Sequence, residues 1–201
     1  MIEYWKNNDF CILKEKMMPV QIKDQNGIGN AEELLIEKEA CISFSPDHCA
    51  LFQQQGAFVV LDFGKELCGG IRIVARNAEG IANFRITFGE SLTEALSSIG
   101  EKNATNNHSP RDFHAEVPTL SDLTYGQTGF RFVRIELLSE NPVTIRNIFA
   151  INTLPHFEKE AVIKTSDEQL NKIIETAAYT LKLNFQNGYI WDGIKRDRLV
   201  W

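Results

Sequence analysis

The sequence lacks a long apolar run, an excess of basic residues and a recognisable leader. No uncharged apolar stretch approaches the roughly 18 residues that a membrane-spanning helix needs. The net charge of −6 disfavours nucleic acid and anionic membranes as partners. The start, MIEYWKNNDF, has no basic region followed by an apolar one, so no signal peptide is predicted. The compartment stays open: cytoplasmic if this N-terminus is native, and periplasmic or secreted if a signal peptide has been removed.

The sequence also lacks the spacing motifs of common metal and cofactor sites. Its four cysteines include no C-x-x-C pair, so buried free thiols are a better interpretation than a zinc site. Gly27 and Gly29 have no third glycine and no preceding strand, which rejects a dinucleotide fingerprint. No G-x-S-x-G motif or phosphate loop exists. No cofactor and no metal site are therefore predicted. The cysteines are Cys11, Cys41, Cys49 and Cys68.

Apolar residues before position 156 repeat with the period of two that is typical of β-strands. GIRIVAR and ANFRITFGES alternate apolar and polar side chains, and AFVVLDFG is apolar almost throughout, as a strand covered on both faces would be. About 115 residues of this kind fit roughly eight strands. The 43% hydrophobic content with 13 Phe is ample for a core. The pattern predicts a mainly β fold, a jelly-roll-like antiparallel β-sandwich over residues 41–156.

Three local features refine this prediction. The alternation slips at Phe132-Val133 and again around Asn147, which indicates β-bulges. The Cys68-Gly69-Gly70 triplet predicts a tight turn. Residues 1–40 are expected to form an N-terminal extension packed on the sandwich, and NAEELLIEKEA within it is compatible with a helix whose N-cap is Asn30.

Beyond residue 156 the apolar period becomes helical. We expect one long amphipathic helix over about 166–187, with Thr165 or Ser166 as the N-cap. A single amphipathic helix cannot bury its own stripe, so it must pack on the sandwich, on a partner or on further helices. Self-association through this helix is one expected outcome. The apolar stripe consists of Leu170, Ile173, Ile174, Ala177, Ala178 and Leu181.

The chain closes on WDGIKRDRLVW, in which two tryptophans bracket a cluster of charges. Together with LDFGKELCGGIRI, FRITFGESL and YGQTGFRFVRIELL, the helix and this motif resemble bacterial α-L-rhamnosidases of glycoside hydrolase family 78. The resemblance implies a β-sandwich followed by an (α/α)6 barrel, of which residues 157–201 are the linker, the first helix and the start. It further implies an N-terminal fragment that ends inside the catalytic motif and is inactive alone.

The resemblance also assigns roles within the motif. Asp192 matches a carboxylate that contacts sugar hydroxyls, and Asp197 falls at the general-acid position, where the family normally has Glu. Arg196 is expected to orient the carboxylates. Trp191 and Trp201 offer flat apolar faces to a sugar ring. The implied activity is inverting hydrolysis of terminal α-L-rhamnosides by the full-length protein, and the implied partner is a rhamnose-containing glycan or glycoside.

Geometry argues against Asp192 and Asp197 as the complete catalytic pair. Inversion requires an acid and a base about 6.5–9.5 Å apart. Five positions along a helix do not share a face, and five extended residues span about 16 Å. The base is therefore expected outside this sequence.

Other interpretations stay open. The motif alone is compatible with a solvated helix face of Asp–Arg pairs. The chain could equally be a free-standing carbohydrate-binding sandwich or a protein-interaction module. The polar run NATNNHSPRDFHAE holds Asp112 and His114, but two such residues do not make a metal site, and a surface loop is the better interpretation.

Overall fold

Eleven β-strands and one long helix form the part of the chain that the structure, a computed structural model, describes: residues 12–77, 80–102, 104, 108–157, 161–186 and 188–195. The chain divides into two compact units, Lys16–Asn152 and the remainder. The predicted fold class, an antiparallel β-sandwich followed by one helix, is confirmed.

The elements follow one another along the chain in this order. The strands are β1 (Ile12–Met17), β2 (Gln21–Asn26), β3 (Ile28–Gly29), β4 (Ala50–Phe52), β5 (Phe58–Asn77), β6 (Ala82–Gly89), β7 (Asp112–Val117), β8 (Leu120–Leu137), β9 (Val143–Pro155), β10 (Phe185–Gln186) and β11 (Tyr189–Ile190). The α-helices are α1 (Leu92–Ala95) and α2 (Glu168–Asn184), and the 3₁₀ helices are Ala31–Leu35 and Ser109–Arg111.

The long strand β5 takes part in both layers of the sandwich. Nine strands are connected in the order β3-β4-β9-β5-β8-β6-β7, with β1 on β9 and β2 on β5. The first part of β5 pairs with β2 and with the end of β8, whereas its second part pairs with β9 and with the start of β8. Val59 and Leu61 from the first part and Ile71 and Ile73 from the second lie in the same hydrophobic core. The sheet therefore folds over on itself, as orthogonally packed sheets do through strands that switch layers.

A bulge in β5 marks the corner where the strand changes layer. Asp62 pairs with Phe132 and Leu67 with Phe130, so four residues of β5 oppose the single residue Arg131. The buried Asp62 carboxylate accepts both Nε and Nη2 of Arg131, at 2.8 and 3.0 Å, and the backbone N–H of Gly64 at 2.8 Å. Burial alone would raise the pKa of Asp62, but these hydrogen bonds outweigh it and lower the pKa below its usual value.

The predicted bulges have different outcomes. Near Asn147 the register with β5 shifts between Val74 and Ala75, so this bulge is confirmed. At Phe132-Val133 the pairing with β5 is continuous, and the irregularity lies on the opposite strand instead. The two strands share one local distortion, and the sequence pattern did not show which of them carries it.

The tight turn predicted at Cys68-Gly69-Gly70 is wrong. These residues lie inside β5, where Gly69 pairs with both Thr128 and Asn152. A Cβ atom at Gly70 would lie 2.5 Å from the carbonyl oxygen of Tyr125, closer than real Cβ contacts allow. The two glycines are needed because the neighbouring backbones approach too closely for a side chain, which is a known reason for Gly inside a strand.

Residues 16–40 contribute directly to the sandwich. Strand β2 pairs with β5 through five residue pairs from Gln21↔Asp62 to Asn26↔Phe58. Leu34 is fully buried in the main core. The predicted helix after Asn30 is a five-residue 3₁₀ helix, and Asn30 itself has a left-handed backbone with no side-chain cap. The short helix is enough to insert Leu34, which explains its apolar pattern.

The connection between β6 and β7 is fixed by a buried arginine. Arg111 is fully buried, and its Nη1 and Nη2 groups donate to the carbonyl oxygens of Glu94 and Ser97 at 3.1 and 3.0 Å. Its Nε lies 3.9 Å from the Glu94 carboxylate, which also accepts the backbone N–H of Glu90. These contacts tie α1 to the 3₁₀ helix that ends at Arg111.

Helix α2 begins after a capping network that the sequence predicted only in part. Asp167, and not Thr165 or Ser166, is the N-cap, because its side chain accepts the N–H groups of Gln169 and Leu170. Thr165 lies two residues before this N-cap. Its hydroxyl oxygen accepts the N–H of Asp167, and its own N–H donates to Oδ1 of Asn171. The helix ends at Asn184, three residues short of the predicted end.

Candidate functional site

The segment after α2 folds back as a short hairpin that positions the start of the WDGIKRDRLVW motif. Strands β10 and β11 pair in the register Phe185↔Ile190 and Gln186↔Tyr189. Gly188 adopts a positive φ of 83° in the connection, which favours glycine. The Trp191 N–H then donates to the carbonyl oxygen of Asn184, the last residue of α2, at 2.8 Å. The beginning of the motif is therefore held at the C-terminal end of the helix.

Side chains of the hairpin strand β10 make further contacts with the segments around it. Gln186 donates through Nε2 to the carbonyl oxygens of Leu183 and Thr153, at 3.0 and 3.3 Å. The rings of Phe157 and Phe185 lie 5.4 Å apart at an interplanar angle of 55°. The hairpin is thus linked both to the helix and to the linker that precedes it.

Two of the predicted site residues lie in the described part of the chain. Trp191 is half-buried and Asp192, next to it, is exposed. This pairing of an aromatic face with an accessible carboxylate is compatible with sugar contact. Arg196, Asp197 and Trp201 lie outside the described residues, so the acid position and its neighbours stay predictions.

The motif contains one residue that sequence reasoning did not single out. Lys195 is only 3% exposed, and Ile194 beside it is also buried. In the sequence Lys195 is one member of the cluster of charges between the two tryptophans, whereas the structure makes it part of the interior. Lysine is seldom buried without a partner or a function. The one feature of the sequence that could have indicated this burial is that Lys195 directly follows the apolar Ile194.

The apolar stripe of α2 is largely open to solvent. Ile173 and Leu181 are 57% and 53% exposed, and Leu170 is exposed as well. Leu183 is the one buried residue of the helix among those described. A helix with this pattern is typical of an element that packs against other helices.

The polar run that leads into β7 contributes an ion pair with β6. Asp112 accepts Nε and Nη2 of Arg85 at 2.8 and 2.6 Å. Burial would raise the pKa of Asp112, but the hydrogen bonds and charge of Arg85 prevail and lower the pKa. His114 is exposed on the strand. Among the described residues, no group of three or more His, Cys, Asp or Glu side chains is arranged to hold a metal ion.

No described helix combines the length and the hydropathy needed to cross a lipid bilayer.

Comparison with known proteins gives a fold but no sequence family. No family model matches the chain, and no curated protein sequence matches it. Among solved structures, a rhamnosidase from Klebsiella oxytoca with rhamnose bound matches with a TM-score of 0.74 and 19% identity, over 99% of this chain and 40% of that protein. A family 78 rhamnosidase of Bacillus sp. GL1 matches with a TM-score of 0.62 and 14% identity, over 84% of this chain and 17% of that protein.

A third rhamnosidase structure also matches the fold of this chain. The α-L-rhamnosidase from Dictyoglumus thermophilum has a TM-score of 0.57 and 19% identity, over 95% of this chain and 18% of that protein. At identities this low the likeness shows the fold alone. The chain has a rhamnosidase-like fold and spans less than half the length of each of these proteins.

Proposed function

We propose that this chain supplies the β-sandwich and first barrel helix of an α-L-rhamnosidase-like glycoside hydrolase. The observation that supports the proposal is the match to the Klebsiella oxytoca rhamnosidase, which extends over 99% of the chain and includes the helix as well as the sandwich. A carbohydrate-binding sandwich alone would not need the helix or the motif after it. The proposed substrate class is a glycoside or glycan with a terminal α-L-rhamnose.

The proposed chemistry is inversion at the anomeric carbon. One carboxylic acid protonates the leaving oxygen while a carboxylate on the opposite face of the ring activates water. In the proposal Asp197 takes the acid position and Arg196 orients it. Asp192 accepts hydroxyl groups of the sugar, while Trp191 and Trp201 contact its apolar face. The base comes from residues outside this chain, because the spacing of Asp192 and Asp197 does not suit the required gap.

The shorter side chain of Asp at the acid position affects where the catalytic carboxyl group can lie. Asp is one methylene shorter than Glu, which retracts the carboxyl by about 1.5 Å, and a misplacement of about 1 Å can lower a rate on the order of a hundredfold. The proposal therefore requires a shorter distance between the main chain and the glycosidic oxygen than a Glu at this position would need.

Turnover of an aryl α-L-rhamnoside tests the proposal at two lengths of protein. The 201-residue chain alone should show no measurable hydrolysis. The protein expressed from the whole reading frame that encodes the chain should hydrolyse the glycoside, and NMR should detect rhamnose of inverted anomeric configuration as the first product. Asp197→Asn should abolish this turnover, with Asp47→Asn, an exposed carboxylate of the sandwich, as the control.

Two results would overturn the proposal. Robust hydrolysis by the chain alone would show that the base lies within it. A reading frame that ends at Trp201, with L-rhamnose binding but no turnover, would instead establish a free-standing carbohydrate-binding sandwich.

A further inference from the structure

A pocket of about 540 Å³ opens at one end of the sandwich. Its walls are residues 42–44 on one side and Arg76, Asn77, Thr119 and Leu120, at the ends of β5 and β8, on the other. This volume lies within the range of about 300–1,000 Å³ that is usual for small-molecule sites. The pocket lies within the unit Lys16–Asn152 and shares no residue with the motif at the end of the chain.

The wall formed by residues 42–44 is held in place before any ligand arrives. Arg76 donates through Nη1 to the carbonyl oxygen of Phe44 at 3.3 Å, and Arg146 donates through Nε to that of Glu39 at 3.0 Å. Asn147 donates to the carbonyl oxygen of Lys38 at 3.0 Å. The Phe44 ring is buried in a second hydrophobic cluster. The pocket is therefore preformed, which reduces the ordering cost of binding.

Arg76 is the charged group of the pocket, and it differs from Arg72, the arginine four positions earlier on the same strand. Arg72 forms a bidentate ion pair with Asp122, which neutralises it. Arg76 forms no ion pair with any residue that the structure describes, and its one hydrogen bond leaves most of its five N–H donors available. A guanidinium of this kind matches the planar geometry of a carboxylate.

We propose that this pocket binds a small carboxylate carried on a six-membered ring. The carboxylate would pair with Arg76, and the ring would rest on Ile42 and Leu120, which are 44% and 54% exposed. The hydroxyls of Ser43 and Thr119 lie along the same lining and can accept hydrogen bonds from ring substituents. An acidic monosaccharide and a plain alicyclic acid share this chemistry.

Titration calorimetry on the full chain tests the assignment with two matched pairs of probes. D-glucuronate and cyclohexanecarboxylate carry the charge, whereas D-glucose and cyclohexylmethanol do not. At least one of the two carboxylates should bind. Its uncharged counterpart should bind about tenfold more weakly or not at all. Arg76→Gln should lower the affinity for the carboxylate about tenfold or more. Binding of D-glucuronate alone would identify a sugar acid as the ligand, and binding of both acids a general carboxylate site.

Lys102→Gln is the control, because it removes the same single positive charge from an exposed position that does not line the pocket. It should leave binding within about twofold of the unsubstituted chain. The proposal is overturned if neither carboxylate binds, if Arg76→Gln binds as well as the unsubstituted chain, or if Lys102→Gln weakens binding as much as Arg76→Gln. None of these results depends on rhamnoside hydrolysis.

Discussion

The guanidinium of Arg111 and the carboxylate of Glu94 are both completely excluded from solvent and approach to 3.9 Å. Arg111 also donates to two backbone carbonyl oxygens, so its charge is compensated by several partners at once. Breaking a buried pair of this kind is costly because the remaining charge stays in a medium of low dielectric constant. The pair therefore stabilises the long connection between β6 and β7.

Arg111→Met should lower the free energy of unfolding by about 3–5 kcal/mol. Arg146→Met, which removes an arginine with a single hydrogen bond to the backbone, should lower it by about 1 kcal/mol. Urea denaturation followed by fluorescence measures both. Equal effects of the two substitutions would show that burial of Arg111 contributes nothing beyond its hydrogen bonds.

The second prediction concerns the response to acid. Because the folded-state pKa of Asp112 is lowered, its contribution to stability is complete above the unfolded value of about 3.9 and is lost as the pH falls through the folded pKa. The difference in unfolding free energy between the unsubstituted chain and Asp112→Asn should therefore be constant near neutral pH and shrink below about pH 4. Denaturation series at several pH values measure this.

Asp24→Asn serves as the control for the acid series, since it removes the same charge from an exposed position on β2. Its effect on stability should be small at every pH. A difference for Asp112→Asn that does not change between pH 7 and pH 3 would contradict the assignment of the ion pair with Arg85.

The alternation of apolar residues predicted the sandwich correctly because inward-facing positions dominate its energy. Phe84, Ile86 and Phe88 are fully buried on one face of β6, as the pattern required. The role of Gly69 and Gly70 was not predictable, because a close approach between strands depends on partners far away in sequence. For the same reason the sequence did not reveal that residues 16–40 supply strands β2 and β3 of the sheet.

The candidate sites show the same limit. Trp191 and Asp192 were found because they are adjacent within a distinctive motif. The pocket around Arg76 was not found, because it brings together residues 42–44, 76–77 and 119–120, which share no local pattern. Likewise, Arg111 appears in a polar run that favoured a surface loop, and only the fold shows that it is buried.

A third prediction concerns the boundaries of the sandwich. A chain of residues 16–156 should unfold in one cooperative thermal transition, whereas a chain of residues 41–156 should melt at a lower temperature or aggregate. The shorter chain lacks β2 and therefore leaves one edge of the first part of β5 unpaired, and an unpaired strand edge favours aggregation. It also lacks Leu34, whose loss from the core alone is worth about 2–5 kcal/mol.

Leu34→Ala in the longer chain separates these two causes. If it lowers the melting temperature as far as removal of residues 16–40 does, the core contact accounts for the whole effect. Identical melting of the 16–156 and 41–156 chains would contradict the role assigned to residues 16–40.

The last prediction concerns the exposed stripe of α2. Burial of a Leu or Ile side chain is worth about 1.5–3 kcal/mol, so the exposure of Ile173 and Leu181 leaves a substantial free energy available for association. We expect the chain to self-associate through this face in solution, and Ile173→Glu/Leu181→Glu should shift it to monomer in sedimentation velocity. At concentrations low enough that the unsubstituted chain is also monomeric, the melting temperature should hardly change, since both side chains are already exposed within the chain. Lys164→Glu is the control: it alters the net charge by the same two units, from an exposed position that precedes the helix and lies outside the stripe. It should leave association intact if the stripe acts through its apolar surface.

Association that persists in the double variant would contradict the assignment. Dissociation of the Lys164→Glu variant as well would mean that charge and not apolar contact governs the assembly.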